Sequence, residues 1–241
     1  MRICVVGTAN IGKTTFINDF LENWPGYSKP EKTYRDTLPE GAHSKHTTAE
    51  TQEKILDFMV SQHAEYGKDA NVIFDRCPLD NMAYTLWGME QGLEGIDFEF
   101  ADASCRRVSE AMRNIDLIFY LPICAQNNVK IVEDGVRETD PEYIKAIDDK
   151  FREFHKEWAT NAKSPFFPSD DRPAILEIFG NRRERIEIAK LYLDPDGNAI
   201  EPDQASLFDE ESLKQVSQVE RMIELDRDQA AKEKKRRQVY T

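Results

Sequence analysis

The chain has 241 residues, 40% of them hydrophobic, and a formal net charge of −13. That length suits one large domain, or one domain with an appended tail, with enough apolar residues for a core. The acidity argues against bulk attraction to a nucleic-acid backbone, and no apolar run is long enough to span a bilayer. Met1 is followed by no charged-then-apolar leader, so the fold is expected to begin almost at once. Cys4, Cys77, Cys105 and Cys124 show neither CxxC pairing nor zinc spacing, and read as reduced thiols of a cytoplasmic protein.

The first element is "CVVGTANIGKTTFINDF", residues 4 to 20. Cys4 to Val6 suit a buried strand, Gly7 to Gly12 a short loop, and Phe16, Ile17, Phe20 and Leu21 recur at helical spacing. Gly7, Gly12, Lys13 and Thr14 match GxxxxGK[ST] in its required strand–loop–helix setting. Backbone N–H groups of such a loop, Asn10 and Ile11 included, converge with those of the helix's first turn at Thr15 on one spot that attracts an anion. Lys13 would add a point charge for β- and γ-phosphates, and the Thr14 hydroxyl is placed to hold Mg²⁺.

Further along, "KPEKTYRDT" (29–37) carries Glu31 about where a second strand should end, with Arg35 four residues later. A carboxylate there can accept the proton of an attacking hydroxyl. His43 and His46 follow in "GAHSKHTT", read as a loop and not as a metal pair. Residues 48–66 form a helix with Ile55, Leu56, Met59, Val60 and His63 on one face, started by Thr47 and Glu50 as a capping box. "NVIFD" (71–75) is a short strand ending in Asp75, and Pro78 opens a helix to about Gln91. In an open α/β sheet ligands bind at the carboxyl edge, which makes Asp75 a second Mg²⁺ contact opposite Thr14. Arg76 beside it could reach the acceptor or the transferred phosphate.

A helix over 99–114, the strand "DLIFYLPI" (116–123), and a polar stretch to Asp140 come next. Asp140 and Pro141 open a long helix carrying Ile144, Ile147, Phe151, Phe154 and Trp158, with Trp87 and Trp158 read as core. "AILEIFG" (174–180) is a last buried strand before a helix from about Arg182 to Leu193. Alternating strands and helices predict an α/β fold with a parallel sheet. From Asp194 the chain turns acidic and turn-rich, then ends in the basic "KEKKRRQVYT", so 194–241 reads as a hairpin-and-helix appendage with a solvated basic tail.

Taken together these motifs resemble the deoxynucleoside kinase branch of P-loop kinases over about residues 2–193. Pro30, Glu31 and Arg35 match that family's Pro-Glu-x-x-x-Arg, and Asp75-Arg76 stands where it usually has Glu-Arg. The "DRCPLD" wording is also similar to nicotinamide riboside kinases and to P-loop kinases of large phages. The resemblance implies a three-layer P-loop NTPase fold: a five-stranded parallel sheet, order 2-3-1-4-5, helices on both faces, and a lid at about 124–140 over domain 1–193. It implies ATP and Mg²⁺, with Glu31 as base, Asp75 as the Mg²⁺-linked carboxylate, and Arg76 and the lid residue Arg137 stabilising phosphoryl charge. Arg35, Gln52, Asp80 and Asn81 would bind the acceptor, and Gly180-Asn181 would contact adenine through backbone groups.

Two departures from that pattern stand out. The lid has one obvious arginine, with Lys130 the other nearby cation, and Asp75 is one methylene shorter than Glu. The expected activity is phosphate transfer to a nucleoside-like small molecule, with a homodimer compatible. The alternatives are a kinase acting on 5-hydroxymethyluracil in DNA, with Lys232–Arg237 touching the backbone, and a regulatory NTPase whose 194–220 segment docks a protein partner.

Overall fold

A computed structural model describes residues 1–37, 45, 47–124 and 139–200. Its centre is a parallel sheet of β1 (Arg2–Val6), β2 (Val72–Asp75), β3 (Leu117–Tyr120) and β4 (Ala174–Glu177), in the order β2-β1-β3-β4. The register pairs Val5 with Asp75, Val6 with Tyr120, and Tyr120 with Glu177, so the carboxyl ends of all four strands lie along one edge.

Strand side chains alternate between faces, and each face has its own core. Ile3, Val5, Ile73 and Phe119 pack with Phe16 and Phe20 of α1 (Lys13–Asn23) and Ile186 of α6 (Arg182–Lys190). Cys4, Val6, Phe74 and Ile118 face the other way. They meet α2 (Ala49–Ala64), α3 (Pro78–Glu90), α4 (Phe98–Ala111) and α5 (Pro141–Thr160), which supply Leu56, Met82, Val108 and Ile147. The result is helix, sheet, helix in three layers.

Among the described residues the sheet has four strands, not the expected five, and so its order is corrected. Where a second strand was expected near Glu31, pairing is confined to one parallel bridge, Ser28 to Val72 on the outer side of β2. Ser28 N donates to Asn71 O at 3.0 Å and Ile73 N to Ser28 O at 2.9 Å. Pro30 has no N–H to continue the ladder, and the chain curls into a 3₁₀ turn at Tyr34–Thr37.

Helix starts follow local chemistry, with one shift. Thr48, not Thr47, caps α2 by accepting from Thr51 N, while Glu50 pairs with Lys54 at 2.6 Å. The helix expected over 99–114 ends at Ala111 and continues as a 3₁₀ turn, Met112–Asn114. Asp140 caps α5 at Pro141, and Asn181 with Glu184 forms the capping box of α6.

Residues 194–200 turn back on the core: Trp24 Nε1 donates to Asp194 O at 2.9 Å and Tyr27 OH to Gly197 O at 2.6 Å. The lid stretch 125–138, with Lys130 and Arg137, lies outside the described residues, as do His43, His46 and the tail 201–241. No described helix is long and apolar enough to cross a membrane.

Candidate active site

The loop after β1 needs backbone angles that L side chains resist. Gly7 has φ +139°, and a Cβ there would stand 2.5 Å from the carbonyl oxygen of Leu121. Gly12 at φ +90° leads into α1, whose first turn has neither a side-chain cap nor an acidic residue. Those first-turn N–H groups are therefore available to an anion, which is what a phosphate cradle requires. Thr8 Oγ1 ties the loop to α5 by donating to Ile144 O at 2.9 Å.

Lys13 is buried and folds back over the loop, its Nζ donating to Gly7 O at 2.8 Å and Thr8 O at 2.6 Å. Burial first, then the nearby charge of Arg76, pushes its ammonium down to about 7. Next to it, Thr14 Oγ1 donates to Asp75 Oδ2 at 3.2 Å. A hydroxyl and a carboxylate side by side at the mouth of the loop form an oxygen donor set that fits Mg²⁺. Among the described residues no group of three or more His, Cys, Asp or Glu side chains could hold a metal ion. A cation here would therefore complete its shell with water and phosphate oxygens.

Arg76 follows Asp75 at φ +82° and is held by its N–H to Val5 O at 3.1 Å. Its guanidinium lies between the rings of Tyr34 and Tyr84, 5.7 and 5.5 Å from their centroids. Nη1 donates to Asp80 Oδ1 at 2.8 Å, and Asp80 Oδ2 accepts from Cys77 N at 3.0 Å. Burial pushes Asp80 up to about 6 against the pull of Arg76.

Beyond Arg76, Gln52 and Asn81 form a buried amide pair. Asn81 Nδ2 donates to Gln52 Oε1 at 2.7 Å and to Gln52 O at 2.9 Å, and Gln52 Nε2 donates to Thr47 Oγ1 at 2.9 Å. Asn81 Oδ1 is buried and makes no hydrogen bond among the described residues. Ile55, Met59 and Tyr143 supply apolar walls.

These parts open into one cleft of about 1050 Å³. It is lined by Asn10, Ile11, Gly12, Lys13, Thr14 and Thr15 of the loop and helix start, by Asp75, Arg76 and Arg35, and by Gln52, Asp80 and Asn81. Glu31 is exposed and lies instead in an adjoining cleft of about 910 Å³, which shares Thr14, Tyr34, Arg35, Met59, Asp75 and Arg76 with the first. Asn181 lines neither; its side chain caps α6 and its N–H donates to Glu184 Oε2 at 2.7 Å.

Sequence reasoning missed Tyr34, Tyr84 and Tyr143, which a helix or loop pattern cannot distinguish from core. It also missed Arg185, buried behind the loop, whose Nη1 donates to Ile11 O and Nε to Gly180 O, both at 2.9 Å. No local signal marks a contact that spans the chain in this way.

With that geometry in view, a family model described as AAA domain matches residues 2–163, which include the phosphate loop, Asp75-Arg76 and the Gln52–Asn81 pair. The chain belongs to that AAA domain family. No curated protein matches the sequence. Among solved structures, deoxyadenosine kinase from M. mycoides with dCMP and dCDP is 17% identical at TM-score 0.56, over 78% of this chain and 96% of that one. The same kinase with dATP is 18% identical at TM-score 0.53. NadR in complex with NR is 15% identical at TM-score 0.54; 83% of this chain is covered but only 53% of NadR, about half its length. These likenesses show a P-loop kinase-like α/β fold for this AAA domain protein.

Proposed function

We propose that this protein is an ATP- and Mg²⁺-dependent kinase that transfers the γ-phosphate to a hydroxyl of a nucleoside- or nucleotide-like acceptor. The observation that carries the reading is a single cleft running from the phosphate loop to the buried Gln52–Asn81 pair. Asn81 Oδ1 offers a desolvated acceptor that a nucleobase amino group would satisfy, and Tyr84 and Tyr143 offer ring faces. The M. mycoides kinase, seen with deoxynucleotides, and NadR, seen with NR, make a nucleoside-like acceptor the natural candidate.

In this reading the loop N–H groups and Lys13 hold the triphosphate, and Lys13 leaves the Gly7 and Thr8 carbonyls to do so. Mg²⁺ held near Thr14 and Asp75 would supply charge neutralisation on the phosphates. The acceptor oxygen bonds to the γ-phosphorus as the bond to the β-bridging oxygen breaks, ADP leaves, and the hydroxyl proton passes to Glu31. Arg76, fixed by Asp80, and Arg137 of the lid stretch would stabilise charge on the transferring group, and Arg35 would face the acceptor.

The test is transfer from γ-labelled ATP to a panel of nucleosides, deoxynucleosides, their monophosphates, nicotinamide riboside and DNA with and without hydroxymethyluracil. Label on an acceptor is expected, and Glu31→Gln should lower turnover roughly 10²-fold with ATP binding intact. Free phosphate as the sole product, whatever is added, would overturn the kinase reading.

A further inference from the structure

Glu31 shares its cleft with an unusual set of neighbours. Lys29, Lys32, Arg35 and Arg76 line it against two carboxylates, Glu31 and Asp75, in a chain whose acids outnumber its bases by 45 to 32. Among the described residues Lys29, Lys32 and Arg35 enter no ion pair, whereas Lys145, Lys150, Arg152 and Arg182 are each matched with a carboxylate. Cations outnumber carboxylates along this cleft, four to two, and an excess of positive charge there attracts a further anion.

The segment presenting these cations is tied down. Thr33 N and Oγ1 both donate to Asp36 Oδ2, at 2.6 and 3.1 Å, and Gln62 Nε2 donates to Lys32 O at 2.8 Å. The Ser28–Val72 bridge anchors its beginning, and the Tyr34 ring lies 5.6 Å from the Arg35 guanidinium and 5.7 Å from that of Arg76. The cations are therefore presented by preformed backbone, which lowers the ordering cost of binding.

We propose that the second cleft binds a phosphate carried by the acceptor, so that the hydroxyl to be phosphorylated belongs to a molecule that is already a nucleotide. This rests on the kinase reading above. The γ-phosphate has its own partners in Lys13 and the loop, and the two clefts meet at Thr14, Asp75 and Arg76. An acceptor whose hydroxyl lies at that junction can send its base toward Gln52–Asn81 and its phosphate toward Lys29, Lys32 and Arg35. A monoester on a free nucleotide and a phosphodiester in a strand present the same anionic oxygens to these side chains.

Transfer from γ-labelled ATP should be compared for a nucleoside, its monophosphates and a short single-stranded oligonucleotide containing it. The phosphorylated forms are expected to show a KM about tenfold or more below that of the nucleoside. That gap should close in the double variant Lys29→Ala/Lys32→Ala, and persist in Lys29→Arg/Lys32→Arg. A gap for the monophosphate assigns the cleft to a free nucleotide, and a gap for the oligonucleotide alone assigns it to a strand. A nucleoside used as well as its phosphorylated forms, or a gap untouched by the alanine variant, would overturn this inference and leave the kinase reading standing. Free phosphate with no labelled acceptor would overturn both.

Discussion

Arg185 reaches across the molecule to Ile11: its Nη1 donates to the Ile11 carbonyl at 2.9 Å while its Nε donates to that of Gly180. One buried guanidinium thus bonds the phosphate loop to the turn after β4. Burial lowers its pKa from the usual arginine range, against the pull of Cys124 and Asp19, while the two carbonyls accept its N–H groups. Arg185→Ala removes both hydrogen bonds and should weaken ATP binding about tenfold, with Arg185→Lys intermediate. Calorimetric titration with ATP measures this, and equal affinities in all three proteins would refute it.

Gly7 is expected to tolerate no side chain. At φ +139° an alanine is strained, and its Cβ would meet Leu121 O at 2.5 Å, a backbone atom that cannot turn aside. Gly7→Ala should cost roughly 2–4 kcal/mol of stability. Urea unfolding reads the loss directly; an unchanged midpoint would mean that the loop and β3 can separate.

The Arg76–Asp80 pair is buried on both sides, at 7% and 1% side-chain exposure. Asp80→Ala leaves the guanidinium without its carboxylate and should destabilise by about 3–5 kcal/mol. Replacing both residues with apolar ones of similar volume should cost much less than the sum of the single losses. Additive losses by chemical denaturation would show the pair to be uncoupled.

His63 sets an acid limit on stability. Its ring stacks on Phe74 at 4.1 Å, its Nδ1 lies 2.6 Å from Met59 O, and burial, aided by Arg2, pushes it down to about 4 from an ordinary 6.5. The folded protein therefore keeps His63 neutral while the unfolded chain takes up a proton below 6.5. Its contribution is whole above 6.5 and is lost as pH falls toward 4, at no more than about 1.4 kcal/mol per pH unit. His63→Phe should flatten that part of the stability–pH curve; an unaltered slope would place the acid sensitivity elsewhere.

Much of the fold was legible in local pattern. Apolar runs located the described strands, and helical spacing the described α-helices, to within a few residues; the 3₁₀ turn at Tyr34–Thr37 was not foreseen, and Asp140-Pro141 opens α5 where its chemistry suggested. Failures came where neighbours compete for one role. Thr47 and Thr48 are both competent caps, and Thr48 caps α2 while Thr47 accepts from Gln52. The missing strand at Ser28–Glu31 turned on how much pairing an edge containing Pro30 can sustain, which depends on its partner β2.

The phosphate loop belongs to the sequence itself. Glycines that allow positive φ, followed by Lys13 and Thr14 at a helix start, mark an anion cradle within eight consecutive residues, Gly7 to Thr14, because the converging N–H groups belong to adjacent positions of one chain segment. The parallel register that places Asp75 beside Thr14, the Gln52–Asn81 amide pair, the Arg185 bond to Ile11, and Glu31 among cations in a neighbouring cleft were decided only by tertiary structure. Each joins residues separated by tens of positions or set on different elements, so it exists only once packing of two cores on one sheet has brought those elements together.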